Sequence, residues 1–451
     1  MKHSIKTGSM HVFVKLWLML LVMLCVVHVQ AQETKDDDTT GIAYTKVLMK
    51  AYPVKNERFL SALKEKTDDK KLYKYYTTRY KAIFEAVNET IKDGSMVQIP
   101  ELTTAIDEIL TEIKSKNSGL PNDLQVMLIR ENIPNAYTLG DNTIFIHLGL
   151  LYYVENEHQL ACILAHEIGH LLLNHSLLAI TDRYDRDKKS VEDAKIVREK
   201  EVGRADHALA LLKSSIYEGG KMARKHELQA DSIGYAIVKN TKYRASALLR
   251  ALELIERNDT LIYNGLKTET YKQYFDVPNQ KFNDKWLESE DFSAYNYNSY
   301  KPKFDEDSLS SHPKSEARIK YLKSVFPELS KGLVAADTEM TPTYEPVRTM
   351  AEQQLFPNMK FNEEYGKAIY ISLILLQEQP DNEYYKEQLG KNLQKIYEAR
   401  RDYRLNKFLD RVSPKDQSKN YVRYLNFMWN LKPEELKNLS DYYAALESRG
   451  Q

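Results

Sequence analysis

The sequence predicts an α+β fold, mostly α, with one small β-sheet set beside a buried helix. Three observations carry that prediction. Apolar residues at helical spacing run through most of the 451 residues. Short β-rich runs cluster in one place only, between Leu124 and Ile146. The segment from Glu157 to Ser176 is apolar on nearly all sides, which places it in a protein core.

The chain opens on Lys2, Lys6 and Lys15, then an uninterrupted apolar run from Leu16 to Val27 and Val29-Gln30-Ala31. A basic start, a short apolar stretch and a small residue before a cut describe a secretory signal peptide over residues 1–31. The run is shorter than the ~20 residues that span a bilayer. An uncleaved anchor starting at Phe13 is the competing reading. Leu24 stands where a lipid-attachment signal at Cys25 would need a small residue, so that reading is rejected. Cleavage removes three lysines and no acids, taking the formal net charge from 0 to about −3. It also leaves Cys162 as the one cysteine, so the mature chain forms no internal disulfide. No second long apolar run follows. The expectation is therefore an exported chain, periplasmic or extracellular, soluble and without stable membrane insertion. The balanced charge supplies no field for nucleic acid, which is excluded as a partner.

Residues 32–95 form a helical N-terminal region after a polar leader, with Tyr73, Tyr76 and Tyr80 sharing a packing face. Ile99 to Ile113 is a second helix, ended by Ser118-Gly119-Leu120-Pro121. Strands follow at Leu124 to Ile129 and Thr143 to Ile146, separated by Ile133-Pro134-Asn135 and Gly140-Asp141-Asn142 turns. Asp182 to Glu218 is charged and helical, an exposed insertion. Asn264 to Ser311 reads as a long ordered loop. Residues 340–451 are a helical C-terminal region, in which Ala368 and Pro380 sit as in a tetratricopeptide-type hairpin, a place for a protein partner.

The chemistry concentrates in His166-Glu167-Ile168-Gly169-His170. Residues four apart on a helix share a face, so both imidazoles reach one metal ion. Glu167 lies about 100° round the helix, facing a metal-activated water as general base rather than competing as a ligand. Two histidines and a glutamate in an apolar helix are costly to desolvate without a metal. Catalytic zinc takes a third protein ligand and keeps one position open. Glu227, in Glu227-Leu228-Gln229-Ala230-Asp231, is the candidate, and Asp231 one turn on is placed to accept from a ligating histidine.

These motifs resemble the HtpX-like family of gluzincin zinc metallopeptidases, whose relatives include CAAX prenyl proteases, Oma-type proteases and periplasmic quality-control metalloproteases. Asn135-Ala136-Tyr137 with Ile144 to Leu151 resembles the family's edge-strand stretch. His166 to His170, with His175, resembles its zinc helix, Glu227 to Asp231 its Glu-x-x-Ala-Asp motif, and His312-Pro313 with Arg318 its late His-Pro element. The resemblance covers residues 96–330 and implies a gluzincin-like domain with one zinc ion per chain. It implies His166, His170 and Glu227 as ligands, Glu167 as base and Asp231 behind them. His312 is implied near the site, binding the oxyanion or plugging zinc's open position, or else it is a helix-entry residue. Arg318 shares that role or pairs with an acid near the site. His175, turned off the ligand face, is expected to make a structural hydrogen bond, and Cys162 to be a buried inert thiol. Asn135, Ala136 and Tyr137 are the candidate substrate strand. The expected function is a soluble zinc-dependent endopeptidase acting on unfolded or misfolded exported proteins. The alternatives are a chaperone or scaffold that retains zinc and binds through its C-terminal helices, and an N-terminally tethered enzyme.

Overall fold

The computed structural model describes residues 39–199, 203–256, 265–288, 314–414 and 417–450. The signal-peptide stretch 1–31 and His312 lie outside the described residues. The fold is mostly helical with one small mixed sheet, as the sequence predicts.

Two helices come first, α1 (Thr39–Ala62) and α2 (Lys70–Lys92). Asp69 caps α2 by accepting from Lys71 N at 2.8 Å. Strand β1 (Met96–Val97) leads into α3 (Pro100–Lys116), which starts on proline, whose missing N–H costs nothing at a first helical position. Strands β2 (Gln125–Ile129), β3 (Ala136–Thr138) and β4 (Thr143–His147) complete a sheet of order β1-β2-β4-β3. β2 and β4 run parallel, from Gln125 opposite Thr143 to Ile129 opposite His147. β3 is antiparallel to β4 and forms one edge.

Strand alternation divides the core between the two faces of this sheet. Leu128, Ile144 and Ile146 face a cluster with Leu102, Ile106 and Leu164. Met127, Ile129 and Phe145 face Tyr52, Tyr80, Phe84 and Ile91 of the N-terminal helices. The tyrosine stripe splits accordingly, with Tyr76 and Tyr80 buried and Tyr73 partly buried against the same cluster.

After α4 (Leu148–Tyr153) comes α5 (Glu157–Leu172), capped by Asn156, which accepts from Gln159 N at 3.0 Å. The expected helix from Glu157 to Ser176 is in fact two. Asn174 adopts a left-handed φ of 54°, one of the few conformations asparagine tolerates better than other residues. The chain turns there by 49° into α6 (His175–Glu199). With α7 (Arg204–Lys239), α6 makes the charged helical projection expected at 182–218. Among the described residues no single helix is long and apolar enough to cross a membrane. Only the bent pair α5–α6 passes that test together, and α5 is buried inside the fold.

Beyond α8 (Ala247–Glu256), the expected long loop contains α9 (Thr268–Phe275) and a 3-10 turn at Asp284–Leu287. Thr270, Tyr271, Tyr274 and Phe275 are the buried face of α9, a helical pattern inside the stretch expected to be a loop. Helix α10 (Ser315–Val325) returns to the sheet-bearing core through Leu322. The C-terminal helices include α11 (Leu355–Phe361), α12 (Tyr365–Glu378) and α13 (Glu383–Arg401). The last two pack together across the Gln379-Pro380-Asp381 turn, with Asn382 capping α13. Their core of Tyr370, Leu373, Leu389 and Leu393 also takes in Tyr271, Phe275 and Trp286.

Candidate metal centre

The site forms where α5 crosses α7. At the crossing the two backbones nearly touch. A Cβ on Gly169 would stand 2.8 Å from Ala230 O, and one on Gly234 would stand 2.9 Å from His166 N. Only glycine allows that approach, and it brings Glu227 against the histidine pair.

Three donor groups then converge. His166 Nε2 and His170 Nε2 lie 3.1 Å apart. Glu227 Oε2 is 3.5 Å from His166 Nε2, and Oε1 is 3.5 Å from His170 Nε2. A tetrahedral ion with bonds of ~2.0–2.1 Å has ligand-to-ligand edges of ~3.3 Å, so these atoms are spaced to hold zinc.

The outer ring nitrogens each have a polar neighbour. His166 Nδ1 is 3.0 Å from Asp231 Oδ1. Arg318 clamps Asp231 from behind, Nε donating to Oδ2 at 2.8 Å and Nη2 to Oδ1 at 2.6 Å. The same Nη2 is 3.4 Å from Glu227 Oε2. His170 Nδ1 meets His175 Nδ1 at 3.0 Å, and His175 stacks on His226 with centroids 4.2 Å apart. Both rings turn Nε2 toward the Glu227 carboxylate.

Charge makes a second test of fit. Glu167, Glu227 and Asp231 are buried with a single guanidinium, Arg318, leaving two negative charges when the imidazoles are neutral. A divalent cation neutralises that balance. The local field has the matching sign. Burial opposes a charged His166, yet Asp231 and Glu227 push its pKa up to about 10. Burial, then the neighbouring His166, take His170 down to about 3. Burial works against a charged Asp231, but Arg318 and His166 hold its carboxyl below the usual range. The surrounding acids thus favour one positive charge on the ring pair and oppose a second.

Of the residues the sequence pointed to, His166, His170 and Glu227 come together, with Asp231 behind His166. Glu167 follows on the buried helix and contributes to the negative field at Arg318. Arg318, read either as sharing the part of His312 or as pairing with an acid near the site, is buried and bound to Asp231 and Glu227, which is the second of these readings. Cys162 is fully buried, its Sγ 3.7 Å from Arg244 O, and burial pushes its thiol pKa up. The close crossing at Gly169 and Gly234, and the part of His226, were not read from the sequence. A glycine inside a helix costs ~1 kcal/mol against alanine, and that cost was the available sign of a close crossing. His226 had no signal beyond its place beside Glu227.

The strand candidates lie beside this centre. β3 packs against α5. His147 N donates to Asn135 O at 3.0 Å, so by the alternation of an antiparallel ladder Asn135 and Tyr137 turn their backbone groups to β4. Ala136 turns its own to the open edge.

The profile of peptidase family M48 matches residues 100–325, half of the chain. The beta-barrel assembly-enhancing protease of Escherichia coli (strain K12) is 28% identical over 88 residues, 20% of this chain and 18% of that protein. The human mitochondrial metalloendopeptidase OMA1 is 29% identical over 97 residues, 21% of this chain and 18% of that protein. The match thus spans about a fifth of the length of these curated relatives.

Proposed function

The chain belongs to peptidase family M48, and on that premise we propose that it is a zinc-dependent endopeptidase acting on unfolded or misfolded exported polypeptides. The observation that carries the reading is the convergence of His166 Nε2, His170 Nε2 and the Glu227 carboxylate beside a buried Glu167. Two matched relatives are themselves named as proteases. The signal-peptide pattern at 1–31 supports export, to the periplasm or outside the cell. Residues 96–330 are proposed as the catalytic unit, with 32–95 and 340–451 as helical regions around it.

His166, His170 and Glu227 would hold one zinc ion per chain. Bound zinc supplies Lewis acidity, lowering a water's pKa toward ~7 and polarising the scissile carbonyl. Glu167 accepts the proton of the attacking water and returns it to the departing amine. Asp231 and His175 hold the ligand rings in orientation, and Arg318 fixes Asp231 and Glu227. Substrate joins the open edge of β3 as an added strand, taking its backbone bonds from Ala136. Main-chain recognition of that kind selects extended chains over folded ones.

The test compares wild type with Glu167→Gln on a chemically unfolded reporter protein, with and without a chelator. Glu167→Gln should lower kcat about 10²–10⁴-fold while retaining zinc. Equal cleavage by both proteins would sink the reading. Binding of the reporter without cleavage by the zinc-loaded wild type would favour a chaperone.

A further inference from the structure

The connector from β2 to β3 has its backbone fastened almost residue by residue. Arg130 N donates to Ser95 O at 2.9 Å, and Gly149 N donates to Glu131 O at 2.8 Å. His147 Nδ1 lies 3.1 Å from Ile133 O, and His147 N donates to Asn135 O at 3.0 Å. All of these partners belong to the sheet and the segments around it. Three further ties come from more than 220 residues away, in and just after a C-terminal helix. Asn358 Nδ2 donates to Asn132 Oδ1 at 2.9 Å, and Asn132 Nδ2 donates to Leu355 O at 2.8 Å. Just after α11, Asn362 Nδ2 donates to Arg130 O at 3.0 Å.

Asn358 is fully buried, and its Oδ1 has no partner among the described residues. A buried amide left half unsatisfied costs stability that an apolar side chain of similar size would not. Stability is therefore a poor reason for an asparagine at this position, and fixed position is the better one. On the other face of the connector a Cβ at Gly149 would fall 2.1 Å from Asn132 O, so Asn132 is held tightly between α4 and α11. β3 begins four residues later. It is three residues long and paired on one side only, so its place depends on what anchors its ends.

We propose that the C-terminal helical region positions the substrate edge of the catalytic unit, with Asn358 acting through Asn132 on the connector into β3. This rests on the reading of β3 as the substrate strand. It gives the C-terminal region a role in substrate affinity without any contact to the metal centre. Asn358 and Asn132 are positioning residues, and the step they affect is substrate binding rather than chemistry.

The experiment uses the full chain, comparing wild type with Asn358→Leu, which keeps the branched shape and removes the donor, and with Asn362→Ala, which removes only the outer tie. KM and kcat are measured on the unfolded reporter, with zinc content and amide hydrogen exchange of residues 136–138, with and without a peptide hydroxamate. Asn358→Leu should raise KM about threefold to tenfold, the effect of losing one buried hydrogen bond. kcat and zinc content should hold, and the β3 amides should exchange faster in the free variant. If Asn358→Leu does not fold, Asn362→Ala carries the same prediction at smaller size. A folded, zinc-loaded variant with wild-type KM and wild-type β3 exchange overturns the proposal, as does a fall in kcat at unchanged KM. A hydroxamate that leaves the β3 amides of wild type unprotected overturns the substrate-strand reading itself. Protection in wild type, with both variants at wild-type KM, overturns this inference alone.

Discussion

Replacing Gly234 with alanine should loosen the metal centre without touching any donor atom. The new methyl carbon would stand 2.9 Å from His166 N and 3.0 Å from its Cα, with Ala165 C at 3.2 Å. These are backbone atoms and cannot rotate away. Ordinary contact begins near 3.4 Å, so α5 and α7 must part by about half an ångström. Overpacking of this kind costs ~1–3 kcal/mol. In the zinc-free protein the helices relieve it by separating. Binding zinc draws Glu227 back toward the histidines and restores the strain, so the cost falls on metal affinity. Zinc affinity should therefore drop about tenfold to hundredfold, read by competition against a chromophoric chelator, with a small fall in zinc-free Tm. Gly219→Ala on the same helix is the control. Its nearest neighbour is the end of the Arg186 side chain at 3.4 Å, which can move. It should leave zinc binding alone and stabilise the fold by ~0.5–1 kcal/mol through helix propensity. Wild-type zinc affinity in Gly234→Ala, at wild-type Tm, would refute the idea that the glycine crossing sets the ligand spacing.

The other predictions concern groups around the centre and the connector. Arg318→Met leaves Asp231 buried without its guanidinium and should cost ~3–5 kcal/mol in urea unfolding of the zinc-free protein; a loss below 1 kcal/mol would mean that the clamp is structurally idle. Burial, with Glu364 adding and Lys367 opposing, pushes the Glu131 carboxyl up to about 7. A native pKa above the unfolded value means that stability present below about pH 4.5 is lost as pH rises through 7. Glu131→Gln should therefore raise unfolding stability by about 2–3 kcal/mol at pH 8 and barely change it at pH 5, and an equal shift at both pH values would contradict that origin. Cys162 should react with a thiol reagent only as fast as the native protein opens, because its sulfur is inaccessible and its pKa is raised; prompt labelling of folded protein would show that α5 is not held in the core.

The cluster of His166, His170 and Glu227 was legible because sharing one metal ion would demand particular residue types at particular spacings. His166 and His170 must lie one turn apart to share an ion, and Asp231 lies one turn past Glu227 for a related reason. The strand runs at 124–129 and 143–146 were legible from their β-rich texture, but their parallel pairing was not. That pairing puts a second, short strand between them in sequence and outside them in the sheet. β3, only three residues long, has no room for alternation to appear, and the turn residues Ile133-Pro134-Asn135 masked its start. The break at Asn174 was hidden for a different reason. The apolar run passes through it, and a single left-handed residue leaves no periodic mark.

What determines the distances in the site was the least visible part. The crossing of α5 and α7 depends on side chains that are absent, at Gly169 and Gly234, and an absence has no pattern of its own. It becomes informative only when set against helix propensity, since a glycine kept inside a helix at a cost of ~1 kcal/mol implies that something occupies the space of its Cβ. The same reasoning applies to Asn358, where a half-satisfied amide is kept in a core that an apolar residue would fill more cheaply. In both places the local preference of the chain is overridden by a contact distant in sequence, at Ala230 and His166 for the glycines and at Asn132 for the amide. Residues that are locally unfavourable and tightly enclosed thus mark where this fold gives up stability to hold position, first of the His166, His170 and Glu227 side chains and then of the strand beside them.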